Sequence, residues 1–186
     1  MPNLIKVPPM SSAQRDERKI ALLKKKARDW SRAKKWKAFA KGTERVHRTL
    51  GKFPRKMWGF TARKGNWTIT QVLWHLADQE ANLYVRLRRA IAEPGQMISS
   101  YDQNKWSDKL LYSKSDPEQA KALLLLLRKA NADFVKRIPS KAWGNKVKHQ
   151  EWGPLSLENL VFRNIWHLEH HLYQMGRRHT EWKSGE

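Results

Sequence analysis

The chain has 186 residues, of which 40% are apolar and ten are tryptophan, so it can build a hydrophobic core of its own. It contains no cysteine, which excludes disulfides, thiolate metal sites and a cysteine nucleophile. No segment approaches the ~18 consecutive apolar residues of a membrane span, and residues 1–6 do not begin a hydrophobic signal sequence. We therefore expect a cytoplasmic protein.

The net charge of +21 is concentrated near the N-terminus. Residues 1–56 carry 18 of the 38 Lys and Arg residues but only 4 of the 17 Asp and Glu residues, and so hold two thirds of the excess positive charge. Such a basic arm can bind nucleic acid or another anionic surface. It can equally keep the chain in solution or steer an anionic substrate.

Apolar residues repeat every three to four positions in several segments, which is typical of amphipathic helices. Residues 1–11 are expected to form a loose tail, and a basic helix is expected to follow over 12–32. The core helices are predicted at about 33–50, 68–93, 116–138 and 156–175. The pattern predicts an all-α fold, a four-helix bundle with a basic N-terminal helical extension.

Capping residues mark the predicted ends of these helices. Thr68 and Gln71 form a capping-box pattern, and Asp116 precedes a proline at the first helical position. Ser156 is a favourable N-cap, and Gly176 is expected to end the last helix.

The segments between the core helices are interpreted as loops without strands, at 51–67, 96–115 and 139–155. A loop as long as the second one is often functional. The predicted organisation is a basic tail and helix at 1–32, a bundle domain at 33–179 and a C-terminal tail at 180–186.

The last predicted helix carries an unusual polar stripe. His167 and His171 are four residues apart, so they lie one turn apart on the same helix face. The stripe continues at core spacing through Leu160, Asn164 and Gln174. Buried polar groups need partners, and a metal ion would satisfy two imidazoles at once; the alternative is two histidines hydrogen-bonded to neighbours. A third histidine on another apolar helix, His75, favours the metal.

Three motifs together resemble the DinB superfamily and, within it, the YfiT-like branch of metal-dependent hydrolases and thiol transferases. They are WTITQVLWHLAD at 67–78, Tyr101-Asp102 with Trp106, and His167-x3-His171-x2-Gln174. The first resembles the family's second-helix signature, the second the loop after it, and the third the fourth-helix motif. The similarity covers about residues 33–179.

The resemblance implies a four-helix bundle with one long crossover, and a divalent metal ion held by His75, His167 and His171. Three neutral imidazoles leave the ion an open position, as in catalytic sites. The implied activity is hydrolysis or S-transfer on a small-molecule substrate, with water or a small thiol as the nucleophile. Histidine ligands are compatible with zinc, nickel, manganese or iron, so the metal stays open.

Three further residues are predicted to be catalytic, namely Asp78, Asp102 and Tyr101. Asp78 lies one turn after His75, where it can steady that imidazole, act as a base or form a surface salt bridge with an arginine. Tyr101 and Asp102 can line the mouth of a pocket, or belong to a packed loop with an Asx turn.

The other polar residues near these motifs are expected to support the site or to lie outside it. Gln174 and Asn164 either orient the imidazoles or bond to each other. His170 is expected to face a neighbouring groove instead of the metal. Three other histidines are expected to be solvated, namely His47, His149 and His179.

Two other functions fit the same sequence. One is a non-enzymatic basic bundle that binds nucleic acid or an anionic surface through its N-terminal arm. The other is a structural bundle that dimerises through a helix face and keeps a vestigial metal site. A homodimer is a candidate assembly, because dimers are the most common oligomers.

Overall fold

The computed structural model describes residues 12–62 and 65–185, so the predicted tail at 1–11 lies outside the described residues. The α-helices are α1 (Ser12–Arg28), α2 (Arg32–Ala40), α3 (Gly42–Leu50), α4 (Ile69–Ala92), α5 (Gln103–Lys109), α6 (Pro117–Lys136) and α7 (Leu157–Ser184). The strands are β1 (Met97–Ile98), β2 (Lys146–His149) and β3 (Gly153–Ser156). Helices α2 and α3 together form the first element of a four-helix bundle, which α4, α6 and α7 complete. The predicted all-α bundle is confirmed.

The predicted helix starts are confirmed by their caps. Thr68 Oγ1 accepts a hydrogen bond from Gln71 N, and Gln71 Oε1 accepts one from Thr68 N, which completes the capping box of α4. Asp116 caps α6 through Glu118 N, and Ser156 caps α7 through its hydroxyl. These local bonds fix where the helices that carry the site begin.

The first core helix is broken at Lys41, a break that the apolar pattern did not predict. The side chain of Arg128 passes beside this break, and its Nη2 donates to Phe39 O at 3.2 Å. A Cβ at Gly42 would lie 2.5 Å from Arg128 Nε, so only glycine leaves room for the guanidinium here. The break lets the buried arginine reach a backbone carbonyl of the first element.

The prediction that the last helix ends at Gly176 is wrong, because α7 continues to Ser184. Beyond Gly176, Arg178 is buried and its Nε donates to Trp67 O at 3.1 Å. Trp182 packs against the core near the N-terminal half of α4. These tertiary contacts outweigh the poor helix propensity of a single glycine. Residues 180–184 are therefore helical.

The prediction that no strands interrupt the helices is also wrong. Strands β1 and β2 pair in parallel, and β2 and β3 pair antiparallel with Val147 opposite Leu155. The strands have two to four residues, too few to show a period in the sequence. The small sheet buries Ile98, Val147 and Leu155 against the bundle and holds the loop after β1 near α7.

Helix α1 lies against α7 instead of projecting as a free arm. Ile20 and Ala27 are buried in this contact, and Lys24 Nζ lies 3.6 Å from the centre of the Trp166 ring. Within the described residues, no helix combines the length and the apolarity needed to cross a membrane. Binding of nucleic acid by this basic segment stays a prediction.

The bundle is tied together by a buried ion pair between α4 and α6. Arg128 Nη1 donates to Glu80 Oε1 at 2.6 Å, and the two side chains are only 1% and 4% exposed. Asn131 Nδ2 donates to the other carboxylate oxygen at 2.8 Å. Removing one member of such a pair leaves a buried charge without compensation.

We expect Arg128→Met to lower the free energy of unfolding by about 3–5 kcal/mol, because Glu80 would stay buried without its counter-charge. Urea unfolding followed by circular dichroism measures this change. The control is Lys129→Met, which alters an exposed residue of the same helix and should change stability by no more than about 0.5 kcal/mol. Similar midpoints for the two variants would contradict the assigned role of the pair.

Candidate metal centre

Three histidines from two helices converge inside the bundle. His75 comes from α4, and His167 and His171 come from successive turns of α7. One ring nitrogen from each of them lies within 4.8 Å of those of the other two. His75 Nε2 and His167 Nε2 are 3.3 Å apart. The structure thus brings together the three residues that the sequence predicted as metal ligands.

The three imidazoles lie in surroundings that favour their neutral form. His75 is 2% exposed and His171 is 6% exposed, whereas His167 keeps part of its surface open to an adjoining pocket. Burial lowers the pKa of His75 to about 4, with a smaller effect from His170. Burial and the neighbouring imidazoles hold the pKa of His167 and of His171 well below the usual value. Neutral imidazole is the form that binds metal.

The ring of His171 is oriented by Gln174, which lies one turn later on α7. His171 Nδ1 donates to Gln174 Oε1 at 2.8 Å, which leaves the Nε2 lone pair free. The ring of Trp67 covers His75 and His171, with centroid distances of 5.0 and 6.4 Å. Of the two alternatives for Gln174, the structure therefore supports orientation of an imidazole.

The donor set suits a divalent transition metal. Two nitrogens at 2.0–2.1 Å from a tetrahedral ion are about 3.3–3.4 Å apart, which agrees with the separation of the His75 and His167 Nε2 atoms. Among the described residues, the three histidines form the only cluster of at least three such ligands, and it contains no carboxylate. An all-imidazole set fits zinc, nickel, manganese or iron better than magnesium or calcium, which prefer oxygen ligands.

A pocket of about 370 Å³ opens beside the triad. His75 and His167 belong to its lining, which also includes Gln79, Tyr101, Asp102, His149, Arg86, Arg163, Asn164 and Trp152. Gln79 Nε2 donates to Asn164 Oδ1 at 3.2 Å, and Asn164 Nδ2 donates to Leu160 O. Asn164 therefore bonds to Gln79 and not to Gln174, and this link joins α4 to α7 along the wall of the pocket.

Tyr101 and Asp102 both line this pocket, as predicted. The Tyr101 hydroxyl donates to Gln79 Oε1 at 3.0 Å, and its ring lies 4.5 Å from that of Trp106. Burial raises the pKa of Tyr101 to about 12. Asp102 caps α5 by accepting from two backbone N–H groups, at 3.0 Å each, which is the predicted Asx arrangement. The catalytic roles of both residues stay predictions.

Asp78 points to a different part of the bundle. Its carboxylate accepts a hydrogen bond from the Tyr112 hydroxyl, and the residue is not part of the pocket lining. Burial raises the pKa of Asp78, while the Tyr112 hydrogen bond acts in the opposite direction. No ion pair with an arginine is formed among the described residues. The predicted catalytic role of Asp78 is untested, and its partner Tyr112 was not foreseen.

The remaining histidines differ from their predictions in one case. His47 is exposed, His179 is half-buried against Phe53, and His170 lies edge-on to His171 without joining the triad. The prediction that His149 is solvated is wrong, because it is 3% exposed, stacks on Trp152 and lines the pocket. Its alternation with Val147 on β2 agrees with this burial, but a strand of four residues is too short for the alternation to be recognised in the sequence.

Comparison with known proteins agrees with this architecture. The DinB superfamily model matches residues 38–175. A protein of Oceanobacillus iheyensis and YfiT of Bacillus subtilis, both named "Putative metal-dependent hydrolase", are 34% and 30% identical over 111 residues, or 59% of this chain. The aligned segments span 63% and 62% of those relatives, less than two thirds of their length.

Two solved structures share the fold. YfiT from Bacillus subtilis, described as a probable metal-dependent hydrolase with an unusual four-helix bundle topology, superposes with a TM-score of 0.74 at 22% identity, covering 82% of this chain and 87% of its own. A mycothiol-dependent maleylpyruvate isomerase superposes with a TM-score of 0.62 at 18% identity, covering 80% of this chain and 62% of its own. With a family match over more than half of its length, the chain belongs to the DinB superfamily.

Proposed function

We propose that this protein is a metal-dependent enzyme that carries out hydrolysis or S-transfer on a small molecule. The observation that carries the proposal is the convergence of three neutral imidazoles, two of them buried, beside a pocket. A volume of about 370 Å³ lies in the range of small-molecule sites. The names of its relatives support hydrolysis, and the thiol dependence of one structural neighbour supports S-transfer as the alternative.

In this proposal His75, His167 and His171 hold the metal ion. When bound, a divalent metal supplies a Lewis acid that lowers the pKa of water or of a thiol and polarises a substrate carbonyl. Gln174 fixes the tautomer of His171, and Trp67 shields two of the imidazoles from solvent. Of the three histidines, His75 and His167 line the pocket and His171 does not. Substrate in the pocket therefore approaches the triad from the side of His75 and His167.

The pocket wall also supplies a hydrogen-bond donor. Because the pKa of Tyr101 is raised to about 12, its hydroxyl keeps its proton at neutral pH and cannot act as a base. Gln79 holds that hydroxyl in place. A substrate oxygen within reach can replace Gln79 as the acceptor, which would stabilise a leaving group. Asp102, the predicted carboxylate that lines the pocket, is the candidate base.

Metal content tests the site directly. Untagged wild-type protein, incubated with zinc, nickel or manganese and then dialysed, should retain close to one equivalent of metal in elemental analysis. His75→Ala/His171→Ala should retain almost none, because a single imidazole binds such ions weakly. His47→Ala removes an exposed histidine and serves as the control.

The same samples are checked by circular dichroism, so that lost metal is not confused with lost helix. Only metal-loaded wild type, and not the double variant, should then cleave ester or amide substrates or transfer a thiol. Absence of metal from correctly folded wild type would overturn the proposed function.

The neutral state of the triad has a consequence for the metal-free protein. The unfolded chain protonates His75 near pH 6.5 and the folded chain near pH 4, so stability is complete above pH 6.5 and falls as the pH drops through this window. The loss attributable to His75 is about 2 kcal/mol between pH 7 and pH 5. Urea unfolding at both pH values should show a smaller loss in His75→Ala than in His47→Ala. Equal losses would mean that His75 is not buried as a neutral group.

The hydroxyl of Tyr101 can be tested on any substrate that the metal-loaded protein turns over. We expect Tyr101→Phe to lower kcat at least about tenfold with unchanged metal content, because the variant keeps the ring but loses the donor. Tyr84→Phe removes an exposed hydroxyl from α4 and should leave kcat unchanged. A Tyr101→Phe enzyme with wild-type kcat would restrict this tyrosine to a packing role.

A further inference from the structure

Two arginines line the pocket beside the triad, and neither forms an ion pair among the described residues. Arg86 comes from α4 and Arg163 from α7, the two helices that also supply the histidines. A charged group removed from water normally requires a counter-charge. Arg86 is buried and Arg163 is half-buried at the wall of an open pocket, so an anionic ligand in the pocket would supply a counter-charge that the described part of the protein does not.

Arg86 is the more deeply placed of the two, with 7% of its surface exposed. Its Nη2 donates to Ser99 O at 2.6 Å, and that carbonyl is its hydrogen-bond acceptor within the described part of the chain. A guanidinium has five N–H donors, so most of its donors remain for another partner. None of its nitrogens is both buried and unpaired, so the free donors have access to the pocket.

Arg163 packs over two tryptophan rings. Its guanidinium carbon lies 3.7 Å from the centre of the Trp152 ring and 5.6 Å from that of Trp166. A guanidinium that packs on an aromatic ring through its face keeps its N–H edge free for a carboxylate or a phosphate. His149 stacks on the same Trp152 ring, with centroids 3.9 Å apart, which keeps that tryptophan in position.

The acidic residues of the pocket do not neutralise these arginines. Asp102 accepts from the backbone at the start of α5 and lies 4.0 Å from Lys105. Glu151 is exposed and acts on Arg86 only at a distance, since no oxygen of it lies within 4.0 Å of a guanidinium nitrogen. Both carboxylates are solvated at the rim, whereas Arg86 is buried in the wall.

Both arginines lie on the same side of the triad. Arg163 precedes His167 by one turn on α7, about 6 Å along the axis. Arg86 follows His75 by eleven residues on α4, about 16 Å along the axis. Because α4 and α7 run antiparallel, with His75 beside His167 and Gln79 beside Asn164, these two offsets have the same direction. A ligand in this pocket can therefore reach the triad with one group and the guanidiniums with an acidic group.

We propose that the substrate is a small organic anion, whose carboxylate or phosphate group is bound by Arg163 and Arg86 while its reacting group lies at the triad. Only the placement of the reacting group at the triad rests on the proposed function. The anion site itself belongs to the chain and can be measured in metal-free protein.

The test is isothermal titration calorimetry of the metal-free full chain at 150 mM NaCl, with acids and their neutral amides as matched probes. The pairs are propanoate with propanamide, benzoate with benzamide, and 3-phenylpropanoate with 3-phenylpropanamide. At least one acid should bind about tenfold or more tightly than its amide, as expected for charge-assisted hydrogen bonds. Phenyl phosphate distinguishes a phosphate ligand from a carboxylate.

Arg163→Met keeps the aliphatic length without the charge and should remove most of this preference for the acid. Arg86→Met should do the same, and its fold is checked by circular dichroism because Arg86 also anchors Ser99. Arg137→Met makes the same charge change at an exposed position at the end of α6 and should leave the preference intact. A similar loss in Arg137→Met would assign the effect to net charge and overturn the proposal.

The inference also fails if no acid is preferred over its amide by wild type, or if the preference survives in Arg163→Met. Metal content measured on the same preparations separates this inference from the proposed function. Selective acid binding by a wild type that cannot retain metal would leave the anion site standing and reject the metal enzyme. Retained metal without acid preference would reject the anion site alone.

Discussion

The cost of burying polar groups between α4 and α7 is the constraint on which the rest of the structure depends. The contact between α4 and α7 contains polar residues at positions where apolar ones would be expected. On α7 these are Asn164, His167 and His171, and on α4 they are His75 and Gln79. Buried polar atoms without partners cost roughly 1–3 kcal/mol each, so a bundle can carry such a seam only if its members satisfy one another. Gln79 and Asn164 do so directly.

The imidazoles satisfy the same requirement less completely. His171 is bonded through Nδ1 to Gln174, which leaves its Nε2 as an acceptor. If the other two rings are neutral in the same tautomer, the nitrogens that face one another are all acceptors. Without a cation, His75 or His167 would have to carry its proton on Nε2, so that their 3.3 Å contact is a hydrogen bond. A divalent cation would instead be shared by the lone pairs of all three rings.

Two adjacent residues of α4 have different roles, one in stability and one in the candidate site. Glu80 faces α6, where Arg128 and Asn131 neutralise and bond its carboxylate, whereas Gln79 faces the pocket. The buried ion pair therefore helps to fix the rotation of α4 about its axis, together with the apolar residues that α4 buries. In this orientation His75, one turn before Gln79, faces α7. The buried ion pair and the candidate site are thus coupled through the geometry of a single helix.

The sequence predicted those features that depend on local bonds or on helical spacing. The caps at Thr68, Asp116 and Ser156 are local, and the pairing of His167 with His171 follows from the helical repeat. The position of His75 on another apolar helix favoured it as a third ligand. One sequence does not show which helices face each other, so only the family resemblance implied that His75 meets His167 and His171.

The features that escaped prediction depend on tertiary contacts. Helix α7 passes Gly176 because Arg178 and Trp182 find partners on other elements. The sheet that buries His149 consists of strands of two to four residues, too short for a visible period. Nor does any spacing in the sequence pair Asp78 with Tyr112, which lies 34 residues later. Apart from the β2–β3 hairpin, the deciding interactions join segments that are distant in the chain.

The positive charge of the protein acts at two length scales. Most of the lysines and arginines at positions 18–28 of α1 are exposed to solvent, where salt limits their influence to about 8–10 Å. Their field can raise the local concentration of anions but cannot select among them. Arg86 and Arg163 act at contact distance inside a pocket with aromatic walls, where screening is weak and geometry is fixed. Selectivity for an acidic ligand would therefore arise from these two side chains, with the basic helix affecting mainly the rate of encounter.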